Sequence, residues 1–243
     1  MKLFSEIKSY KAIGSTQTKA KHLAQKNYPQ GTVVMSDRQT KAYGRDQKKW
    51  LSPAGGLWFS FILRPEIWAD EAVKLSQVAA LALQTCLEKK IKVPAQIKWP
   101  NDILFCNKKL AGIIVEMSVV DKTVEWVAVG IGINVNNPIA PEFSTAAVSL
   151  KDVKGAKVDK KMVFEAFCCE FERIYKEFIE SGFDSFAAQY NQKTAFLNSK
   201  VEIINGSEHI EGIYKGIDAN ANLVLQTPHQ TRHFASGTLR SLK

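Results

Sequence analysis

The sequence predicts an α+β protein: a mixed, largely antiparallel sheet with helices, followed by a small β-barrel. Three observations predict it. Residues 57–63 and 126–133 are continuously apolar runs, as strands buried on both faces require. Residues 159–181 carry Phe164, Phe167, Phe171, Ile174 and Phe178 at steps of three and four, the apolar stripe of a long helix. From about residue 197 the pattern changes to short strands with polar turns, too little chain for an independent core. The expected division is 1–196 and 197–243.

In chain order, residues 1–14 read as a strand or extended lead-in with Phe4, Ile7, Tyr10 and Ile13. Ser15 and Thr16 precede a helix over 18–27. Hydroxyls there cap the helix or, with the free N–H groups of its first turn, bind a polar or anionic group. Residues 32–36 are a buried β-rich run. Residues 37–56 are the most irregular stretch, with Arg38, Lys41, Arg45, Lys48 and Lys49 against Asp37 and Asp46. A loop of this length is functional or mobile, and its charge suits a phosphate-bearing ligand. Residues 70–90 predict one long core-packing helix through Val73, Leu75, Val78, Leu81 and Leu87. Strands are expected at 103–105, 110–117 and 124–136, with 106–109 as a hairpin turn and 137–157 mostly loop. A short helix over 183–191 follows the long one. Strands at 201–204, 208–217, 223–226 and 231–234 are separated by the turn residues Asn205-Gly206 and Asp218-Ala219-Asn220.

The totals narrow the function classes. Apolar residues make up 45% and charged residues 23%, ordinary for a globular chain, and no apolar run approaches the ~18 residues of a membrane helix. The first residues hold no long apolar core and no small-residue cleavage site, so a cytoplasmic protein is expected. Cys86, Cys106, Cys168 and Cys169 lack metal-ligand or redox-motif spacing, and buried reduced thiols are expected. The net charge of +9 is spread along the chain with no aromatic–basic RNA motif. It fits a basic solvated surface, compatible with an acidic protein partner, better than a nucleic-acid site.

The chain is organised around Lys98-Trp99-Pro100-Asn101-Asp102, followed by Lys109-Leu110-Ala111-Gly112. Polar residues set between buried strands are costly unless paired or used. One reading is an anion-handling site, with lysines for phosphate or carboxylate, Asp102 for a metal or ligand donor, and Asn101 for orientation. The other is a hairpin with an Asn-Asp turn and a solvated lysine pair. Gly112 marks either close approach of a flat ring or a bulge. Gly130 and Gly132 alternate on one strand face and clear space there.

These motifs, with the Gly130-Ile131-Gly132-Ile133-Asn134 run in this order and spacing, resemble the biotin–protein ligases (biotin–[acetyl-CoA-carboxylase] ligases) over nearly the whole chain. The resemblance implies a class II synthetase-like catalytic domain over 1–196 that binds biotin and ATP, and an SH3-like barrel over 197–243. It implies that Ser15 and Thr16 contact the biotin ureido ring, with Gln17 standing where the family has Asn. The family loop pattern Gln-Thr-x-Gly-Arg-Gly-Arg-x-Gly-Arg-x-Trp matches Gln39, Thr40, Gly44, Arg45 and Trp50. Ala42, Tyr43, Gln47 and Lys48 stand where that pattern has Gly, Arg, Gly and Arg. In the family this loop covers biotin and its adenylate, partly through backbone groups.

The implied biotin site adds Gln39, Tyr43, Gly44, Arg45, Lys109, Gly112, Gly130 and Gly132 to the two hydroxyls. The implied nucleotide site is Trp50, Lys98, Asn101, Asp102 and Asn134. Lys109, Asp102 and Arg45 are the implied catalytic groups, and no metal ligand is assigned. The implied activity uses ATP and Mg²⁺ to convert biotin to biotinyl-5′-AMP, then transfers biotin to a lysine of a carboxylase's biotin carboxyl carrier protein domain. Rival readings are a lipoate or octanoate ligase or transferase of the same superfamily, and a non-catalytic adenylate-binding relative. Some family members carry an N-terminal helix-turn-helix. Ser15 lies too near the start for one, so a monofunctional form without operator DNA or membrane binding is expected, as monomer or homodimer.

Overall fold

The computed structural model describes residues 3, 4 and 6–242. Seven strands make the main sheet: β1 (Glu6–Tyr10), β2 (Thr32–Ser36), β3 (Leu57–Leu63), β4 (Gln96–Lys98), β5 (Asp102–Phe105), β6 (Lys108–Val120) and β7 (Thr123–Ile133). Their order is β1-β2-β3-β7-β6-β5-β4. β1 runs parallel to β2 and the other neighbours are antiparallel, so the sheet is mixed.

The run Leu57–Leu63 lies beside the central strand β7 and is buried at every position. On one face Phe59 and Phe61 meet Phe164 and Phe171 of the long helix α5 (Lys160–Ser181) edge-on, at centroid distances of 5.1 and 4.9 Å. Phe4 joins them 5.0 Å from Phe61. Edge-to-face packing adds to the area these rings bury. On the other face α1 (Thr16–Gln25) sets Ala20, Leu23 and Ala24 against Val34, Ile62 and Ala128. That helix is small, and it leaves the sheet beyond its N-terminus uncovered.

The expected helix over 70–90 is three pieces: α2 (Ala69–Ala72), α3 (Leu75–Cys86) and a wider turn over Leu87–Ile91. The break falls at Lys74, whose N–H bonds back three residues to Glu71 O while its ammonium pairs with the Glu71 carboxylate at 2.6 Å. The tightened turn draws Lys74 into a buried position. α3 then packs its apolar face beneath the sheet.

Residues 137–157 are not wholly loop. They hold a 3₁₀ turn at Pro141–Phe143 and α4 (Leu150–Lys154), which a Ser149–Asp152 capping box starts and Gly155, at φ 68°, ends. The β5–β6 hairpin is also tighter than expected. Cys106 and Asn107 alone turn the chain at positive φ, so Lys108 and Lys109 belong to β6. Cys86 and Cys168 are buried as expected, whereas Cys106 and Cys169 are exposed. No described helix is long and apolar enough to cross a membrane.

After α6 (Asp184–Lys193) comes a second sheet: β8 (Lys200–Asn205), β9 (Glu208–Ile217), β10 (Leu223–Gln226), β11 (Thr231–Phe234) and β12 (Thr238–Ser241). Its antiparallel pairing runs in one row, β11-β10-β9-β8-β12. It leans on the main sheet. Trp99 Nε1 donates to Ala221 O at 3.3 Å, and Thr194 Oγ1 donates to Ile97 O while meeting the Tyr214 hydroxyl at 3.1 Å.

Candidate functional site

The period of two along β7 divides its side chains. Val127, Val129, Ile131 and Ile133 enter the core against the helices, while Ala128, Gly130 and Gly132 face the other way, beside α1. Register places Gly112 of β6 opposite Gly132, and Ile114 opposite Gly130. The result is a bare floor past the end of α1, in an open cleft of about 230 Å³.

The floor is read from what a Cβ would strike. At Gly130 it would meet Gln17 Oε1 at 2.5 Å; at Gly132, Trp50 Nε1 at 2.7 Å; at Gly112, the Lys109 stem at 3.2 Å and the Trp50 ring at 3.3 Å. Trp50 therefore lies on the glycines. Its ring sits edge-on to Trp58, with Lys109 Nζ 4.9 Å from its centroid.

One end of the cleft is the start of α1. Ser15 is the N-cap, accepting from Thr18 N at 3.3 Å. Thr16 donates its N–H to Gln39 Oε1 at 2.7 Å, and its hydroxyl meets Ser60 Oγ at 3.0 Å. Gln39 is braced in turn by donation to Ser52 Oγ. Gln17 donates to Ala128 O, which leaves its buried Oε1 without a partner at the Gly130 end of the floor. An unpaired buried acceptor is costly, and it suits a ligand N–H.

The other end is cationic. Lys109 Nζ lies 2.6 Å from Asp102 Oδ1, an ion pair that lacks the alignment of a hydrogen bond. Asn101 ties β5 to β6 by donating to Ile113 O at 2.6 Å. Burial pushes the Lys98 pKa down; Asp102 opposes this, and nearby Lys109 and Arg240 add to it. Two lysines beside one carboxylate leave net positive charge for an anion.

Residues 42–50 form the remaining wall as a short hairpin. Gly44 N bonds to Lys48 O and Trp50 N to Ala42 O. Arg45 reaches across and donates both terminal nitrogens to Gly237 O at 3.2 Å.

The cleft thus gathers every expected site residue except Asn134. Asn134 is buried at the end of β7, where it donates to Lys109 O and accepts from Asn137. Its side chain is spent on bracing the backbone beneath Lys109. The sequence reading missed Ser60, whose signal was a lone hydroxyl inside an otherwise apolar strand. It also missed Gly237, Thr238 and Leu239, which line the cleft. Nothing local marks those three, because they arrive through the packing of the second sheet.

A family model described as "Biotin/lipoate A/B protein ligase family" matches residues 10–134, the stretch that holds every part of this cleft but the second sheet's edge. The chain belongs to that family. A ligase/repressor of Bacillus subtilis is 35% identical over 88% of this chain and 67% of its own length. A biotin–[acetyl-CoA-carboxylase] ligase of Paracoccus denitrificans is 33% identical over 80% of this chain and 84% of its own. Among solved structures, the biotin protein ligase of Aquifex aeolicus in complex with biotin and ATP superposes with a TM-score of 0.87 at 32% identity. That match covers 98% of this chain and all of that one. The ligase fold therefore extends through both sheets.

Proposed function

We propose that this chain is a biotin–protein ligase that activates biotin with ATP and transfers it to a lysine of a carrier protein domain. The observation that carries the reading is the floor of Gly112, Gly130 and Gly132. It joins a polar pocket at Gln17 to a lysine pair at Lys109 and Lys98. Biotin has that polarity, a ureido ring at one end and a carboxylate at the other.

The ring lies over Gly130, where Gln17 Oε1 accepts a ureido N–H and the Ser15 and Thr16 hydroxyls complete the contacts. The tail follows the floor to Lys109. There the carboxylate oxygen attacks the α-phosphorus of ATP, the bond to the bridging oxygen breaks, and pyrophosphate leaves. Lys109 faces both the carboxylate and the α-phosphate and offsets the charge that builds between them. No side-chain nucleophile is required; positioning and preorganised charge supply the acceleration. In the second step the carrier lysine attacks the acyl carbon, AMP departs, and the amine loses its proton.

Trp50, Lys98 and Asn101 address the nucleotide. Magnesium binds proteins through one or two carboxylates plus substrate phosphates, so Asp102 is the residue that would meet an ion carried in by ATP. The five antiparallel strands from Lys200 onward support an SH3-like module over about 197–243 that closes this end of the cleft.

The test is pyrophosphate release with ATP and Mg²⁺, comparing biotin, lipoate and octanoate. Release with biotin alone is expected. Release with lipoate or octanoate but not biotin overturns the assignment in favour of the sister activity.

A further inference from the structure

Glu116 is a charged, partly buried residue of β6 just past the floor, on the same strand face as Gly112 and Ile114. It stands two residues beyond Ile114 and opposite Ala128. Both its oxygens are used. Oε2 accepts from the Tyr43 hydroxyl at 3.0 Å, and Oε1 pairs with Lys21 Nζ at 2.6 Å. Lys21 comes from α1 and lies 5.8 Å from the Tyr43 ring centroid. The three groups therefore close a triangle between helix, sheet and hairpin. None of the three is open to solvent on all sides, with Lys21 and Glu116 at 30% and 26% side-chain exposure.

The hairpin that Tyr43 belongs to is the wall of the cleft. Its far side is already held by Arg45 on Gly237 O of the second sheet. Tyr43 fastens the near side to the first sheet. Without that bond the hairpin would hang from a few backbone hydrogen bonds and one arginine, across a cleft whose floor it covers with Trp50. Ala42 and Gln47 stand where the family pattern has glycines, and Gln47 holds a φ of 56° that glycine would adopt more readily, so side-chain ties to this hairpin matter.

We propose that Tyr43, Glu116 and Lys21 form a latch that holds the 42–50 hairpin shut over the acyl adenylate and keeps it from escaping before the carrier lysine arrives. Tyr43 is in this role a positioning residue. Burial pushes the Lys21 pKa down, but Glu116 and Tyr43 overcome that and hold it above the ordinary lysine range. The carboxylate is thus shared by one cation and one phenol. The adenylate part of the proposal rests on the ligase reading; the latch itself does not.

Two measurements test it on the full chain, with Tyr43→Phe and Tyr43→Arg. The first is hydrogen exchange of the Gly44, Lys48 and Trp50 amides in the protein alone. Loss of a hydrogen bond to a charged acceptor predicts about tenfold faster exchange in Tyr43→Phe, without matching loss of protection in β3 or β7. The second is steady pyrophosphate release with biotin, ATP and Mg²⁺ but no carrier protein, which counts adenylate that leaks and is replaced. Tyr43→Phe is expected to raise it about tenfold. Tyr43→Arg, which again offers donors to Glu116, should bring both readouts back toward wild type. A role in packing alone would not be rescued in this way.

Exchange within twofold of wild type in Tyr43→Phe overturns the latch. Faster exchange with unchanged leakage overturns its role in retention. If wild type releases no pyrophosphate with biotin, the ligase reading fails, and the exchange measurement still decides whether the latch exists.

Discussion

Lys109→Ala is the most telling single substitution. Lys109 Nζ sits between the Asp102 carboxylate, 2.6 Å away, and the Trp50 ring, 4.9 Å away, at the cationic end of the glycine floor. A preorganised donor aimed at developing charge supplies about 2.7–4 kcal/mol of barrier lowering, or ~10²–10³ in rate. Its side chain is 34% exposed, so solvent screens part of its field and the lower end applies, about a hundredfold. The fold should survive. A partly exposed ion pair contributes ~1 kcal/mol or less, which for a chain of this length shifts Tm by about 2–4 °C. The assay is the initial rate of pyrophosphate release at saturating biotin and ATP, run beside a thermal melt. A loss under tenfold with an unchanged melt would refute the argument that this ammonium neutralises the reacting charge. A collapse of Tm by more than about 10 °C would refute the claim that its role is chemical rather than structural.

Two further outcomes follow from the same geometry. Gly130→Ala puts a methyl 2.5 Å from Gln17 Oε1 and 2.8 Å from Ile114 Cγ2. Overpacking costs about 1–3 kcal/mol, so calorimetry should find biotin affinity at least tenfold weaker, and an unchanged Kd would remove Gly130 from the floor. Lys98 has its pKa lowered by burial, so its charge is lost at a lower pH than for an ordinary lysine. Activity should therefore fall on the alkaline side, and Lys98→Arg should move that limb upward. The unfolded chain holds the Lys98 proton more tightly, so stability rises with pH between the folded value and the ordinary value of about 10.4. A pH-activity limb identical in Lys98→Arg would show that another group titrates.

The main sheet was legible because its strands carry their burial in their composition. Leu57–Leu63 is apolar at every position but Ser60, and it is buried throughout. The glycine alternation at Gly130 and Gly132 read correctly as cleared space because period two fixes which side chains share a face. The 70–90 helix did not read correctly. Apolar periodicity persists across Lys74, and what breaks the helix is a lysine pulled in by Glu71, a contact that no pattern of hydrophobicity records. Asn134 stands outside the cleft lining for a related reason. The sequence shows an amide at a strand end but not the Lys109 carbonyl it donates to or the Asn137 side chain that donates to it. Glu116 stands in the sequence as the one charge in the run 110–117, and only the approach of Tyr43 and Lys21 from distant chain positions gives it a task.

Trp50 gives the molecule a built-in optical reporter. Of five tryptophans, Trp58, Trp99 and Trp126 are buried and Trp68 is exposed outside the cleft lining; Trp99 borders the cleft but is only 1% exposed. Trp50 is the indole that lies on the glycine floor, with its N–H unpartnered and a lysine cation against its ring. A nucleotide base that stacks on that ring, or an acyl tail that lifts it off Gly132, changes both its quenching and its polarity. Emission from the unlabelled protein would then distinguish filling of the phosphate end from filling of the Gln17 end, which holds no indole. The order in which the two substrates load could be followed in a stopped-flow mixer with no dye attached.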